Sequence, residues 1–117
     1  MTILSQILVG VVALLHLYFL VLEMFLWTTP RGRATFGTTR EFAAESRSLA
    51  ANQGLYNGFL VAGLVWGLVT DQTDVMVFFL SCVIIAGLYG AATVNKRILV
   101  VQAVPAALAL AAVLVAA

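Results

Sequence analysis

Two ionisable side chains stand inside an apolar run near the start of the chain. They are His16 and Glu23, in the stretch LLHLYFLVLEMFLW (Leu14–Trp27), and His16 is the sole histidine of the sequence. Seven residues are two helical turns less about 20°, so both side chains share one helix face with Leu20 and Trp27, about 10.5 Å apart along the axis. An imidazole and a carboxylate at that spacing cannot touch, but they can flank a substrate and move protons on it as general acid and base. A lone carboxylate in lipid can instead exchange a proton for a lipophilic cation. The structural alternatives are equally concrete: Glu23 pairing with Arg47, Lys96 or Arg97, and His16 hydrogen-bonded as a neutral imidazole to a neighbouring helix. A metal centre is not expected, and no cofactor is implied. One histidine, one cysteine (Cys82) and one acid in the apolar run do not fill a coordination shell.

Composition says what surrounds these residues. Of 117 residues, 63% are hydrophobic and only 9% charged, where soluble domains carry about 25% charged residues. The mean hydropathy is +1.10. Such a chain is not solvated on all sides, and it reads as an integral membrane protein with one transmembrane domain over residues 1–117. A net charge of +1 excludes the broad basic surface that nucleic acid requires. Cys82 has no partner for an internal disulfide and lies in an apolar run, where it serves as a small hydrophobe. The amino-terminal run has no Lys or Arg before it and no small-residue cleavage site, and it exceeds the length of a signal peptide core. It is expected to remain as the first transmembrane helix.

Crossing about 30 Å of hydrocarbon takes about 20 apolar residues. Four segments are expected to do so: residues 3–27, 49–69, 75–94 and 98–117, giving an all-α, four-helix membrane bundle. The first connection, Thr28–Ser48, is expected to be a loop broken by Pro30 and Gly32. Thr38 with Glu41 three residues later matches a capping box, so the second helix is expected to start near residue 39, before it enters lipid. The other connections are an acidic turn (Asp71–Asp74) and a basic one (Asn95–Arg97). Arg31, Arg33, Arg40 and Arg47 lie in the first connection, Lys96 and Arg97 in the third, and no Lys or Arg lies in the second. The positive-inside rule makes connections one and three cytoplasmic and both termini external, N-out and C-out.

Within this topology the polar side chains gather towards the cytoplasmic ends of the spans. Counted at about 1.5 Å per residue, Glu23 lies roughly 6 Å in and His16 roughly 17 Å. Gln53, Tyr56 and Asn57 of the second helix, Tyr89 of the third and Gln102 of the fourth fall at comparable depths. If these faces meet, His16, Glu23 and Trp27 border a polar pocket with Gln53, Tyr56, Asn57, Tyr89 and Gln102. The same amides and phenols serve as well for hydrogen bonds between helices. Gly54 with Gly58, Gly63 with Gly67, and the alanine-rich fourth helix are close-packing faces. They offer either contact within the bundle or a homo-oligomer.

Three stretches, HLYFLVLEMFLW, FGTTREFAAESRSLAANQGLYNGFL and GLYGAATVNKRILVVQAVPAALAL, resemble the small bacterial membrane proteins grouped as domain of unknown function 1304. The resemblance runs in order over essentially the whole chain. It implies a four-helix membrane protein, expected in the inner (plasma) membrane, and singles out His16, Glu23, Trp27, Asn52, Gln53, Tyr56, Asn57, Tyr89, Gln102 and Pro105. It brings no activity with it. The reading adopted is a membrane protein that binds a lipid or lipophilic small molecule in a cytoplasm-facing polar pocket around Glu23. The alternatives are an intramembrane isomerase-like enzyme acting on a lipid or isoprenoid through His16 and Glu23, and a proton-coupled small multidrug exporter. The exporter reading conflicts with the one-sided charge distribution, because an antiparallel pair needs almost no such bias.

Overall fold

The computed structural model describes residues 1–117 and is all-α. Its helices are α1 (Ile3–Met24), α2 (Pro30–Phe36), α3 (Arg40–Glu45), α4 (Arg47–Thr70), α5 (Thr73–Thr93) and α6 (Val104–Ala116), and a π-helical turn at Leu99–Ala103 leads into α6. Three stretches are long and apolar enough to cross a membrane: α1 with 22 residues, α5 with 21, and Leu99–Ala116 with 18. α4 has the length, 24 residues, but not the apolar density. Arg47, Ser48, Asn52, Gln53 and Asn57 occupy its first three turns. The outer surface agrees with a lipid environment, with Ile3, Val69 and Val115 at least 75% exposed and many other large apolar side chains facing outward.

The first connection is helical where a loop was expected. Thr29 caps α2, its hydroxyl oxygen accepting from the Gly32 amide at 3.2 Å, and Pro30 takes the first helical position. There its missing N–H costs nothing, so it starts a helix instead of breaking one. The cap of α3 is Thr39, which accepts from the Phe42 amide at 3.1 Å, and not Thr38 as the capping-box spacing implied. Ser46 then divides α3 from α4. Its amide and its hydroxyl both donate to the Phe42 carbonyl, at 2.9 and 2.6 Å.

The chain forms two compact units. One joins Met1–Leu15 to Leu60–Ala117. At its start, Thr2 caps α1: its side chain accepts from the Ser5 amide at 3.1 Å, and the Ser5 hydroxyl donates back to the Thr2 carbonyl at 2.8 Å. Its core is a stripe of fully buried side chains, Met76, Leu80 and Val83 on α5 and Ala106, Ala109 and Val113 on α6, with Val9, Val12 and Leu64. Spacings of three and four residues put each set on one helix face. Between α4 and α5 the chain reverses in a Schellman turn, Gln72 donating to Gly67 and Asp71 to Leu68 at 3.0 and 3.4 Å. Asp71 holds the left-handed position with φ 52°.

The π-helical turn has a local cause. Pro105 has no N–H for the Val101 carbonyl, and its ring crowds the turn before it. Widening that turn relieves both conflicts. The widened turn lies against α5, where a Cβ on Gly87 would sit 2.8 Å from the Ala103 nitrogen and 2.9 Å from its Cβ. Backbone atoms cannot swing aside, so Gly87→Ala is expected to destabilise the protein by about 1–3 kcal/mol. At Gly10, in α1, an added Cβ meets nothing within 4 Å, and Gly10→Ala is expected to stabilise by about 0.5–1 kcal/mol. Thermal unfolding of the two variants in detergent micelles should shift in opposite directions.

Candidate functional site

The second unit, His16–Phe59, contains the end of α1, the short helices α2 and α3, and the start of α4. Here α1 and α4 approach at a glycine. A Cβ on Gly54 would lie 3.2 Å from the Leu20 carbonyl oxygen, 3.2 Å from the Glu23 Cβ and 2.5 Å from the Met24 Cγ. One turn on, a Cβ on Gly58 would meet the Leu20 Cδ1 at 2.9 Å. Asn57 is three residues from Gly54 and therefore shares its face. The close approach lets the Asn57 side-chain amide reach across and donate to the Glu23 carboxylate at Oε1.

Burial sets the character of this pair. Asn57 is only 5% exposed, while Glu23 is half-buried. The bond from Asn57 is the carboxylate's protein hydrogen bond, and Oε2 is neither bonded nor enclosed. The arrangement orients a carboxylate through one oxygen and leaves the other free to accept a hydrogen bond or face a cation.

The remaining residues singled out in the sequence take several places. His16, two turns before Glu23, is fully buried, with its ring edge against Phe19 at 5.4 Å. Trp27 is a tie between segments: its indole N–H donates to the Ser46 hydroxyl at 3.1 Å, and its ring meets Phe36 at 4.9 Å. Asn52 and Gln53 are exposed. Tyr56 is 56% exposed and packs edge-on against Phe59. Gln53, Tyr56 and Asn57 therefore do not share one buried face. Tyr89, Gln102 and Pro105 belong to the other unit, Tyr89 exposed and Gln102 half-buried in the π-helical turn.

Two features went unnoticed in the sequence. Arg31 donates from Nη2 to the Tyr18 hydroxyl at 3.1 Å, with its guanidinium 5.9 Å from the centre of the Tyr18 ring. The sequence marks Gly54 for close packing, and the structure shows that it also gives the room in which the polar contact of Asn57, three residues on, forms. No group of three or more His, Cys, Asp and Glu side chains could hold a metal ion.

The family model for DUF1304, described as a protein of unknown function, matches residues 10–114. The chain is also 35% identical over 114 residues to the uncharacterized protein YpaA of Lactococcus lactis subsp. lactis (strain IL1403), covering 94% of this chain and 96% of that protein. No solved structure gives a significant match.

The geometry predicts an energetic link between Glu23 and Asn57. A double-mutant cycle with Glu23→Leu and Asn57→Leu, measured by unfolding in micelles, should give a coupling of about 0.5–2 kcal/mol. Additive effects would mean that the bond contributes nothing to the folded protein.

Proposed function

Because this chain belongs to DUF1304, a family of proteins of unknown function, we propose a function from its own chemistry: it binds a lipid or lipophilic small molecule at Glu23. The observation that carries this reading is the one-sided carboxylate, held at Oε1 by a buried amide and left open at Oε2. A pair serving only to join helices gains nothing from leaving one carboxylate oxygen unpartnered near an apolar surface. A ligand with a polar, hydrogen-bond-donating or cationic head and an apolar body suits the site. The complete burial of His16 favours binding over acid–base chemistry shared between His16 and Glu23.

In this reading the protein lies in the inner membrane as a four-helix bundle. α4 is the fourth span, and its polar first turns, which bring Asn57 to Glu23, lie at the cytoplasmic end. The four arginines from Arg31 to Arg47, and Lys96 with Arg97, support a reading with connections one and three in the cytoplasm and both termini outside.

Two experiments test these statements. Protein purified in mild detergent from native membranes should carry a lipophilic compound at near-stoichiometric occupancy, detected by mass spectrometry of an organic extract. Glu23→Ala should lose it while remaining helical and monodisperse, and wild-type protein carrying only bulk lipid would sink the proposal. For orientation, single cysteines are placed at Ala34 and Gln72 in a Cys82→Ala background. A membrane-impermeant maleimide applied to intact cells should label position 72 and spare position 34. The reverse pattern would overturn the assigned sidedness.

A further inference from the structure

The outer face of α1 carries a cation that the Glu23 site does not use. Ile7, Val11, Leu14, Tyr18, Val21 and Phe25 follow one another at alternating spacings of four and three residues, which puts them on one face of a continuous helix. All six are exposed. Phe25 extends the stripe just past α1, its amide donating to the Val21 carbonyl at 3.0 Å. Arg31, the second residue of α2, folds back onto this stripe. Its Nη2 donates to the Tyr18 hydroxyl at 3.1 Å, and its guanidinium carbon lies 5.9 Å from the centre of the Tyr18 ring. Both side chains are exposed.

The guanidinium is permanently charged, and no carboxylate neutralises it, because the chain's single ion pair joins the Met1 amino group to Asp71. The Tyr18 oxygen is neutral and takes up one N–H, which leaves the other donors of the fork open and the hydroxyl with its own proton to give. Tyr18 lies six residues before Met24, the last residue of α1, and so about 9 Å from the helix end. Aromatic side chains on a helix lean back towards its N-terminus. The ring contact therefore holds the charge on the apolar stripe inside the span. An arginine that only anchors a helix end reaches the other way, towards the headgroups. A cation held at this depth calls for an oxyanion beside it.

We propose that Arg31 and Tyr18 form a site for a long-chain carboxylate, an amphiphile of the fatty-acid type that lies along α1. The carboxylate accepts from the free edge of the Arg31 guanidinium, whose planar fork matches its two oxygens. The alkyl chain follows Leu14, Val11 and Ile7 deeper into the membrane. Depth decides between anionic heads: a phosphodiester is tied to a hydrated headgroup at the membrane surface, whereas a carboxylate on a single chain reaches the level of Tyr18 without taking a headgroup with it. Tyr18 is five residues from Glu23, about 140° round α1, so the two sites are separate. This inference rests on the membrane reading given above but not on a ligand at Glu23.

The test uses the full chain in micelles at mildly alkaline pH, where oleate is ionised. Oleate or its neutral methyl ester is titrated in, and retained ligand is counted by native mass spectrometry. Wild-type protein should retain oleate about ten-fold better than the ester, the scale of one charge-assisted hydrogen bond. Arg31→Gln should bring oleate down to the level of the ester. Tyr18→Phe, which keeps the ring and removes the hydroxyl that holds Arg31 in place, should lower the preference about three-fold. Glu23→Gln should leave it intact, which separates this site from the one at Glu23. Both substituted side chains are exposed, and circular dichroism should show the two variants as helical as the wild type. Equal retention of oleate and ester by wild-type protein would overturn the proposal, as would an undiminished preference in Arg31→Gln or Tyr18→Phe. Phosphatidylglycerol that displaces oleate from wild-type protein and is not retained by Arg31→Gln would overturn the carboxylate in favour of a lipid phosphate.

Discussion

A carboxylate on the second-last residue of an apolar helix must find a donor, and Glu23 finds Asn57. That single bond needs two helices closer together than ordinary side chains allow. Gly54 supplies the space, its missing Cβ leaving room for the Leu20 carbonyl and the Glu23 side chain. Much else in the second unit serves to keep that approach in place. Trp27 reaches from the end of α1 to Ser46, at the junction where α3 becomes α4, so the polar contact is anchored at both ends of the connection. The Arg31–Tyr18 bond holds α2 to the same stretch of α1.

Packing without a hydrophobic drive explains where the small residues lie. In lipid, helices gain little by hiding apolar surface from water, and they associate through close backbone contact and polar bonds. Gly54 and Gly58 meet α1, and Gly67 meets Met76 of α5. Gly87 meets Ala103, and Ala106 and Ala109 are wholly buried. These small faces are filled from within the chain, while many of the large apolar side chains face outward.

The all-helical class and the apolar helices were legible because hydropathy over 20 residues is a strong, local property. The α4 segment was harder, since Asn52, Gln53 and Asn57 dilute its apolar count while its length remains that of a span. Glu23 and Asn57 were both visible as candidates. Their pairing was not, because facing within a helix says nothing about its neighbour. Gln53 shows the limit of the wheel in another way: one turn from Asn57 on nominally the same face, it is exposed while Asn57 is buried. Thr38 and Thr39 differ by one position in the cap, and only backbone geometry distinguishes them. The helices within the first connection were hidden because Pro30 breaks helices in their interiors and begins them at their starts.

The widened turn before Pro105 changes how the last stretch of sequence should be laid on a helical wheel. Each residue of an α-helix advances the bearing by about 100°, and a π-helical turn takes in one residue more than its neighbours. Residues on its two sides are therefore out of phase by roughly one position. Ala106, Ala109 and Val113 keep their bearing towards the core of their unit through a dislocation that no uniform wheel reproduces. Gln102 lies inside that dislocation, so a uniform wheel counted from Arg97 misplaces it. In such a helix, a residue inserted or removed upstream of the proline rotates the polar side chain, and the widened turn is where that rotation is absorbed before the packing stripe begins.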